Sequence, residues 1–322
     1  MHTINIRPRA PFDFARTASF LRFTEAEAVD TFDGNSYRRL FQFGERLHLI
    51  RVESQGTIAR PSLVVSVETK ADEATASQDL QRAAQFIERI FSIDHDLKKF
   101  RAAIADDPLM CEIEAAHHGL HLARWPTLFE SLSISILLQQ ISTAVAVVLK
   151  RRLVEKYGAR LRVKGETFFA FPRPEILAAV PIEELRTLGI SGAKAAALIA
   201  VARETMSGAI DERKLEQADN ETVIARLTGL RGVGRWTAEW ALLLHFGRTN
   251  LFPAGDLALR KFVFKYYNNG APLSEREVRA IAAERWGEWG SYVTIYVLAA
   301  LRTGIINLRP DGVLLSSKTA RV

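Results

Sequence analysis

The sequence predicts an α+β protein, with a small antiparallel-sheet unit at the N-terminus and a mainly helical remainder. Two observations carry this. Up to about residue 70 the chain runs in short β-rich stretches, and from about residue 73 apolar residues recur at helical spacing. With 322 residues, 48% of them apolar, the chain is long enough for two or three units with cores of their own.

Taken in order, "TINIRP" reads as a short first strand and "PFDFARTASFLR" as a helix. "SYRRLFQFGERLHLIRVES" is two strands around "FGER", a hairpin signal, and "PSLVVSVET" is a further strand. "EATASQDLQRAAQFIERIF" opens the helical part, which a polar stretch with Pro108 and "HHGLHLARWP" interrupts. "LFESLSISILLQQISTAVAVVLKRRLVEKYG" is one long helix or two, closed by Gly158. Pro181, Gly189 and Gly192 punctuate the helices that follow. "ETVIARLTGL" and "RWTAEWALLLHF" form a helix pair, and helices continue to about residue 305. The last residues, "RPDGVLLSSKTARV", read as a polar, loosely held tail.

Composition narrows the function classes. The net charge of +6 is a mild excess spread along the chain; it suits a phosphate-rich partner without establishing one. A single cysteine, Cys111, excludes an internal disulfide, a cysteine-ligated zinc and an iron–sulfur cluster, and it points to a reducing compartment. "MHTINIRPRAPFDF" has no apolar signal-peptide core and no window is apolar enough to span a bilayer, so a cytoplasmic location is expected.

The chemistry concentrates in "LTGLRGVGRWTAEWALLLHF", residues 227–246. The "LRGVG" turn needs positive φ or close backbone approach, which Gly232 and Gly234 permit. Leu230 and Val233 anchor it on its own helices. The next helix then opens with free N–H groups that attract phosphate without reading sequence. A lone GxG would be an ordinary helix corner, but the full "LxGVGxxTA", which runs through Thr237, favours a helix–hairpin–helix that grips a DNA backbone. Carbonyls of the turn, those of Thr228, Leu230 and Val233, can also hold a monovalent cation that bridges to phosphate. Downstream, in "NLFPAGDLALRKFVFKYY", Asp256 stands just before an amphipathic helix. It reads as an N-cap, and a capping carboxylate at a cleft mouth can also stabilise an oxocarbenium-like sugar and orient a water.

The run from "LRGVGRWTAEW" to "FPAGDLALRK" resembles the helix–hairpin–helix DNA glycosylase superfamily. More closely, the chain resembles its bacterial 3-methyladenine DNA glycosylase II type. "ISILLQQIS", "LAAVPIEELRTLGISGAKAAALIAVA" and "AERWGEWGSYVTIYVL" carry that likeness, which is strong over residues 128–300 and looser before. The resemblance implies two helical domains flanking a cleft behind an N-terminal sheet domain. We expect residues 1–97 to form the sheet unit, 125–248 one helical domain, and 98–124 with 249–308 the other, with 309–322 as tail. It also implies that Asp256 is catalytic and that Gln140, beside Gln139, fills the gap left by a flipped nucleotide; the alternative for Gln140 is a helix-terminal residue satisfying backbone groups.

Members that also cleave the strand carry a lysine in "GVGxKTA", where this chain has Trp236. Without that amine no Schiff base forms, and the activity expected is monofunctional. Trp236 and Trp240, at i and i+4, share a helix face, and with Trp289 and Tyr292 they are expected to form an electron-rich pocket; the alternative is a packed core, the reading given to Trp286. A cationic alkylated purine gains about 0.5–2 kcal/mol per good aromatic face. Arg260 meets either a phosphate or an acid. His117, His118 and His121 lack a matching carboxylate or second cluster for a metal, and His245 sits in an apolar helix run as a satisfied core residue. The expected function is therefore a monofunctional base-excision-repair glycosylase acting on 3-methyladenine- or 7-methylguanine-type lesions in double-stranded DNA, with no cofactor beyond a structural Na+ or K+. A glycosylase for hypoxanthine or an oxidised base, and a non-catalytic DNA-binding module, remain open.

Overall fold

The computed structural model describes residues 3–21, 28–68 and 73–308; the tail from 309 lies outside the described residues. The N-terminal unit comprises β1 (Thr3–Ile6), α1 (Phe14–Leu21), β2 (Asp30–Phe32), β3 (Ser36–Phe43), β4 (Arg46–Ser54), β5 (Leu63–Val67) and α2 (Glu73–Ile90). Its strands form one antiparallel sheet in the order β1-β5-β4-β3-β2. One sheet face packs on the two helices through Phe14, Tyr37, Ile50, Val52, Ile87 and Phe91. The short edge strand β2 has no sequence signal of its own.

The helical part opens with α3 (Leu97–Ala103) and α4 (Pro108–Ala116), whose starts are capped by the Asp96 and Asp107 carboxylates. Next come α5 (Leu128–Leu138) and α6 (Thr143–Tyr157). The single apolar run of the sequence is thus two helices: Gln140 takes φ +56° and the Ser142 hydroxyl accepts the Val145 amide, starting α6 afresh. Then follow β6 (Arg160–Val163) and β7 (Glu166–Phe169), an antiparallel hairpin turned by Lys164 and Gly165, both at positive φ. Phe168 and Ala170 pack on Leu40 and Leu49 and so cover the second face of the N-terminal sheet. Neither strand is expected from the sequence reading, although "RLRVKGETFF" alternates around a Lys-Gly pair.

The remaining elements are α7 (Pro174–Ala178), α8 (Ile182–Thr187), α9 (Gly192–Met206), α10 (Glu212–Gln217), α11 (Asn220–Thr228), α12 (Arg235–Ala241), α13 (Leu257–Tyr267), α14 (Glu275–Trp286) and α15 (Gly290–Thr303). A π-helical turn, Leu242–Phe246, continues α12, and a 3-10 turn, Gly287–Trp289, precedes α15.

Two helical cores result. One gathers α5, α6, α8, α9 and α11 around Leu132, Leu153, Leu198 and Leu227; the other gathers α3, α4 and α13–α15 around Phe100, Ile113, Phe262 and Tyr296. The α12 helix lies between them. Ala238 and Ala241 of α12 and Leu242 of the π-helical turn enter the first core, while Trp240 of α12 and Leu243 and Leu244 of the turn enter the second. A groove between the two cores therefore runs past the N-terminal turns of α12.

Candidate active site

The hairpin forms because α11 cannot continue past Gly229 and the turn closes on itself. Leu230 N–H donates to the Leu227 carbonyl at 3.0 Å, and Val233 N–H to the Leu230 carbonyl at 3.1 Å. Gly232 sits at φ +78°, and a Cβ there would lie 2.4 Å from Ala197 Cβ of α9, so both conformation and close approach demand glycine. Gly234 differs from expectation. Its φ is −91° and a Cβ would meet nothing within 4 Å, so nothing inside the described structure requires glycine there. The side chains of Leu230, Val233 and Thr237 are buried, leaving the backbone at Gly232 and Gly234 as the exposed part of the predicted grip.

Asp256 follows a bend in which its own N–H donates to the Pro253 carbonyl at 2.8 Å. It is the N-cap of α13: Oδ1 accepts the Ala258 and Leu259 amides at 3.0 and 3.3 Å. Oδ2 accepts the Trp236 indole N–H at 3.1 Å. Three donors therefore fix the carboxylate in one orientation, half-buried at the wall of a cleft of about 1170 Å³. Gln139, Gln140, Trp125, Trp236, Trp240 and Asp256 line this cleft, with Leu298 and Leu301. Trp236 and Trp240 meet edge to face, with ring centroids 6.0 Å apart.

The hairpin, the glycine-containing loop and the carboxylate stand together at one cleft. The family of HhH-GPD superfamily base excision DNA repair proteins matches residues 134–288, and the AlkA N-terminal domain matches residues 3–126. Together the two matches span most of the chain. It is similar to DNA-3-methyladenine glycosylase of Bacillus subtilis, at 26% identity over 90% of this chain and 94% of that one. It is also similar to DNA-3-methyladenine glycosylase 2 of Escherichia coli, at 27% identity over 92% of this chain and 96% of that one. Among solved structures, the fold matches 3-methyladenine DNA-glycosylase from Archaeoglobus fulgidus with a TM-score of 0.78, at 24% identity and covering 93% of this chain and 98% of that one.

Two of the four expected pocket aromatics lie elsewhere. Tyr292 is fully buried; its hydroxyl meets His95 Nδ1 at 2.8 Å and Phe100 packs against it at a tilt, with centroids 5.3 Å apart. Burial pushes its phenol well above the usual range. Trp289 packs on Phe100 and Tyr292 and does not line the cleft. Helical geometry is the reason. Leu298 and Leu301, six and nine residues past Tyr292, fall on the opposite side of α15, and that side faces the cleft.

Sequence reasoning missed Trp125, which lines the cleft instead. Its N–H donates to the Leu244 carbonyl at 2.7 Å. In the π-helical turn the Arg248 amide reaches back to Leu242 at 3.1 Å, which leaves the Leu244 carbonyl for Trp125. The available signal was an aromatic residue in a polar loop just before the Thr127 cap.

Charged residues around the hairpin lock helices together. Arg235 pairs with Glu221 (2.5 Å) and Glu239 (3.0 Å), and Arg279 with Glu239 (2.6 Å) and Glu275 (2.7 Å), joining α11, α12 and α14. Arg260 donates to the Leu273 carbonyl at 3.2 Å and lies over the Phe264 ring. The histidines serve packing. His117 and His121 bond to the Ile113 and Ser92 carbonyls, His118 to Glu114, and buried His245 to the Trp125 carbonyl and Glu212. Among the described residues, no group of three or more His, Cys, Asp or Glu is placed to hold a metal ion. No helix among them is long and apolar enough to cross a membrane.

Proposed function

We propose that this chain is a monofunctional DNA glycosylase that hydrolyses the N-glycosidic bond of alkylated purines, of the 3-methyladenine and 7-methylguanine type, flipped out of duplex DNA. The observation that carries the reading is the Asp256 carboxylate, held at the cleft wall by two backbone amides and the Trp236 indole.

A flipped, cationic purine stacks against Trp236 and Trp240, whose electron-rich faces favour it over its neutral parent. The glycosidic bond breaks with its electron pair going to the base, which leaves neutral. Asp256 stabilises the oxocarbenium-like sugar left behind, because its charge is already oriented and needs no reorganisation. Water adds to C1′, its proton passing to the carboxylate or to solvent, and an abasic site remains. Since the alkylated base is a good leaving group, one carboxylate suffices. Trp236 occupies the position that would need an amine for strand cleavage, so the chemistry stops at hydrolysis.

The hairpin supplies the grip. Open space at Gly234 leaves room for a phosphate against the amides at the start of α12, which runs on through the π-helical turn. The cation reading also fits: the Gly232 carbonyl accepts Gln139, and Thr228, Leu230 and Val233 offer neutral carbonyl oxygens suited to Na+ or K+, that of Leu230 also accepting the Val233 amide. Gln140, exposed at the rim, is the side chain we assign to the gap in the duplex.

A panel of duplexes, one damaged base each, tests this. We expect free base and an abasic site from the 3-methyladenine and 7-methylguanine duplexes, with no protein–DNA adduct on borohydride treatment. A trapped adduct contradicts the hydrolytic mechanism, and release only from hypoxanthine or oxidised-base duplexes moves the substrate class.

A further inference from the structure

Gln139 is oriented by two hydrogen bonds to the hairpin. It ends α5, and its side-chain Nε2 donates to two acceptors on the hairpin, the Gly232 carbonyl and the Thr237 hydroxyl, both at 2.9 Å. The Thr237 hydroxyl is buried, so this contact replaces any meeting of that group with DNA. The next residue, Gln140, is exposed and takes φ +56°, a conformation a non-glycine residue holds only when its surroundings impose it. Two further contacts close the same joint. Lys194 of α9 donates to the Leu137 carbonyl at 2.8 Å, one turn before the bend. Three residues along α9, Ala197 is the group against which Gly232 packs. The end of α5, the hairpin turn and α9 are thus pinned at one place by hydrogen bonds on one side and glycine packing on the other.

We propose that Gln139 is a positioning residue that couples the DNA-gripping hairpin to the side chain that enters the duplex. One amide group spans both elements, so the depth and direction of Gln140 are set by the hairpin rather than by the flexible bend alone. When the hairpin seats on a phosphate, Gln140 arrives already aimed, and the positive-φ backbone is held against relaxation. The inference rests on the function proposed above, but its test does not require catalysis.

The test uses a duplex carrying a stable abasic analogue with 2-aminopurine beside it; insertion of a side chain into the gap unstacks the 2-aminopurine and raises its emission. With saturating full-length protein we expect a clear rise, which Gln140→Ala abolishes. Gln139→Ala should lose half or more of the rise while the duplex Kd changes less than about threefold, because the grip survives and only the aim is lost. Thr237→Val, which removes one of the two acceptors and nearly preserves shape, should fall between; it carries the test if thermal melting shows that Gln139→Ala has unfolded. A full rise from Gln139→Ala, or from Thr237→Val where the first variant is unfolded, overturns the proposal. So does a loss of rise that merely tracks a more than tenfold loss of binding. Base release from a 7-methylguanine duplex is measured alongside. If the parent releases none while the fluorescence pattern holds, the catalytic reading fails and the coupling stands.

Discussion

Asp256 does two jobs with two oxygens. Oδ1 caps α13 and Oδ2 accepts the Trp236 indole, so the group that starts the helix is also fixed toward the cleft. Trp236→Phe keeps a smaller aromatic face and removes the indole N–H that Asp256 Oδ2 accepts. We expect single-turnover base release to fall about tenfold with substrate affinity within a factor of about two, since the lost contact orients the charge rather than the base. An affinity loss with an unchanged rate would place the indole's role in stacking. Asp256 was legible as an N-cap from its place before an amphipathic helix, and its place at the cleft was expected through the family resemblance. Tyr292 and Trp289 were not: choosing which side of α15 faces the cleft requires the packing of α3 and α4, and a single chain read linearly does not contain it. Trp125 was hidden because its place depends on a π-helical turn more than a hundred residues away.

At the scale of elements, the two hairpin glycines separate. Gly232→Ala forces a Cβ onto Ala197 and an L-residue into positive φ, so we expect a loss of about 2–4 kcal/mol in denaturant unfolding. Gly234→Ala meets no obstacle in the described structure. Its melting temperature should stay within about 2 °C of the parent while duplex affinity falls, because the added methyl occupies the space a phosphate needs. Equal melting losses in the two variants would remove the distinction. The sequence pattern placed the hairpin and most helices, whose caps and periodicity are local. It left open the break between α5 and α6, where apolar periodicity runs straight through the bend and only a positive-φ Gln140 and the Ser142 cap mark it. It also missed β6–β7, whose partner surface is the far face of the N-terminal sheet.

Across the whole molecule, the N-terminal sheet is tied to the helical part by a buried ionic group. Arg39 of β3 bonds Asp30 at 2.7 Å and Glu130 of α5 at 2.5 Å, and the Tyr37 hydroxyl donates to Asp30. Arg39→Met leaves the buried Asp30 and Glu130 without the guanidinium that bonds both, with the charge of buried Lys150 still near them, and we expect a loss of about 3–5 kcal/mol in equilibrium unfolding. A loss under about 1 kcal/mol would mean the group contributes little to the join. The histidines set the pH response. Burial, then the nearby Arg124, lowers His95 from an ordinary 6.5 to about 4, and burial also lowers His117 and His121. The unfolded chain binds a proton at His95 below about pH 6.5 that the folded chain refuses until near pH 4, and His117 and His121 act in the same direction, so stability falls as pH drops through that window. Melting curves from pH 7 to 5 should show a steady decline, and His95→Asn should flatten it.

The most direct test of the whole account is base release by Asp256→Asn. Asparagine keeps the cap oxygen and the fold but removes the charge. Under single-turnover conditions on a 7-methylguanine duplex, we expect release to fall at least about a hundredfold while duplex binding stays within about threefold of the parent. Release at the parental rate would show that the carboxylate facing the cleft is not what cleaves the glycosidic bond.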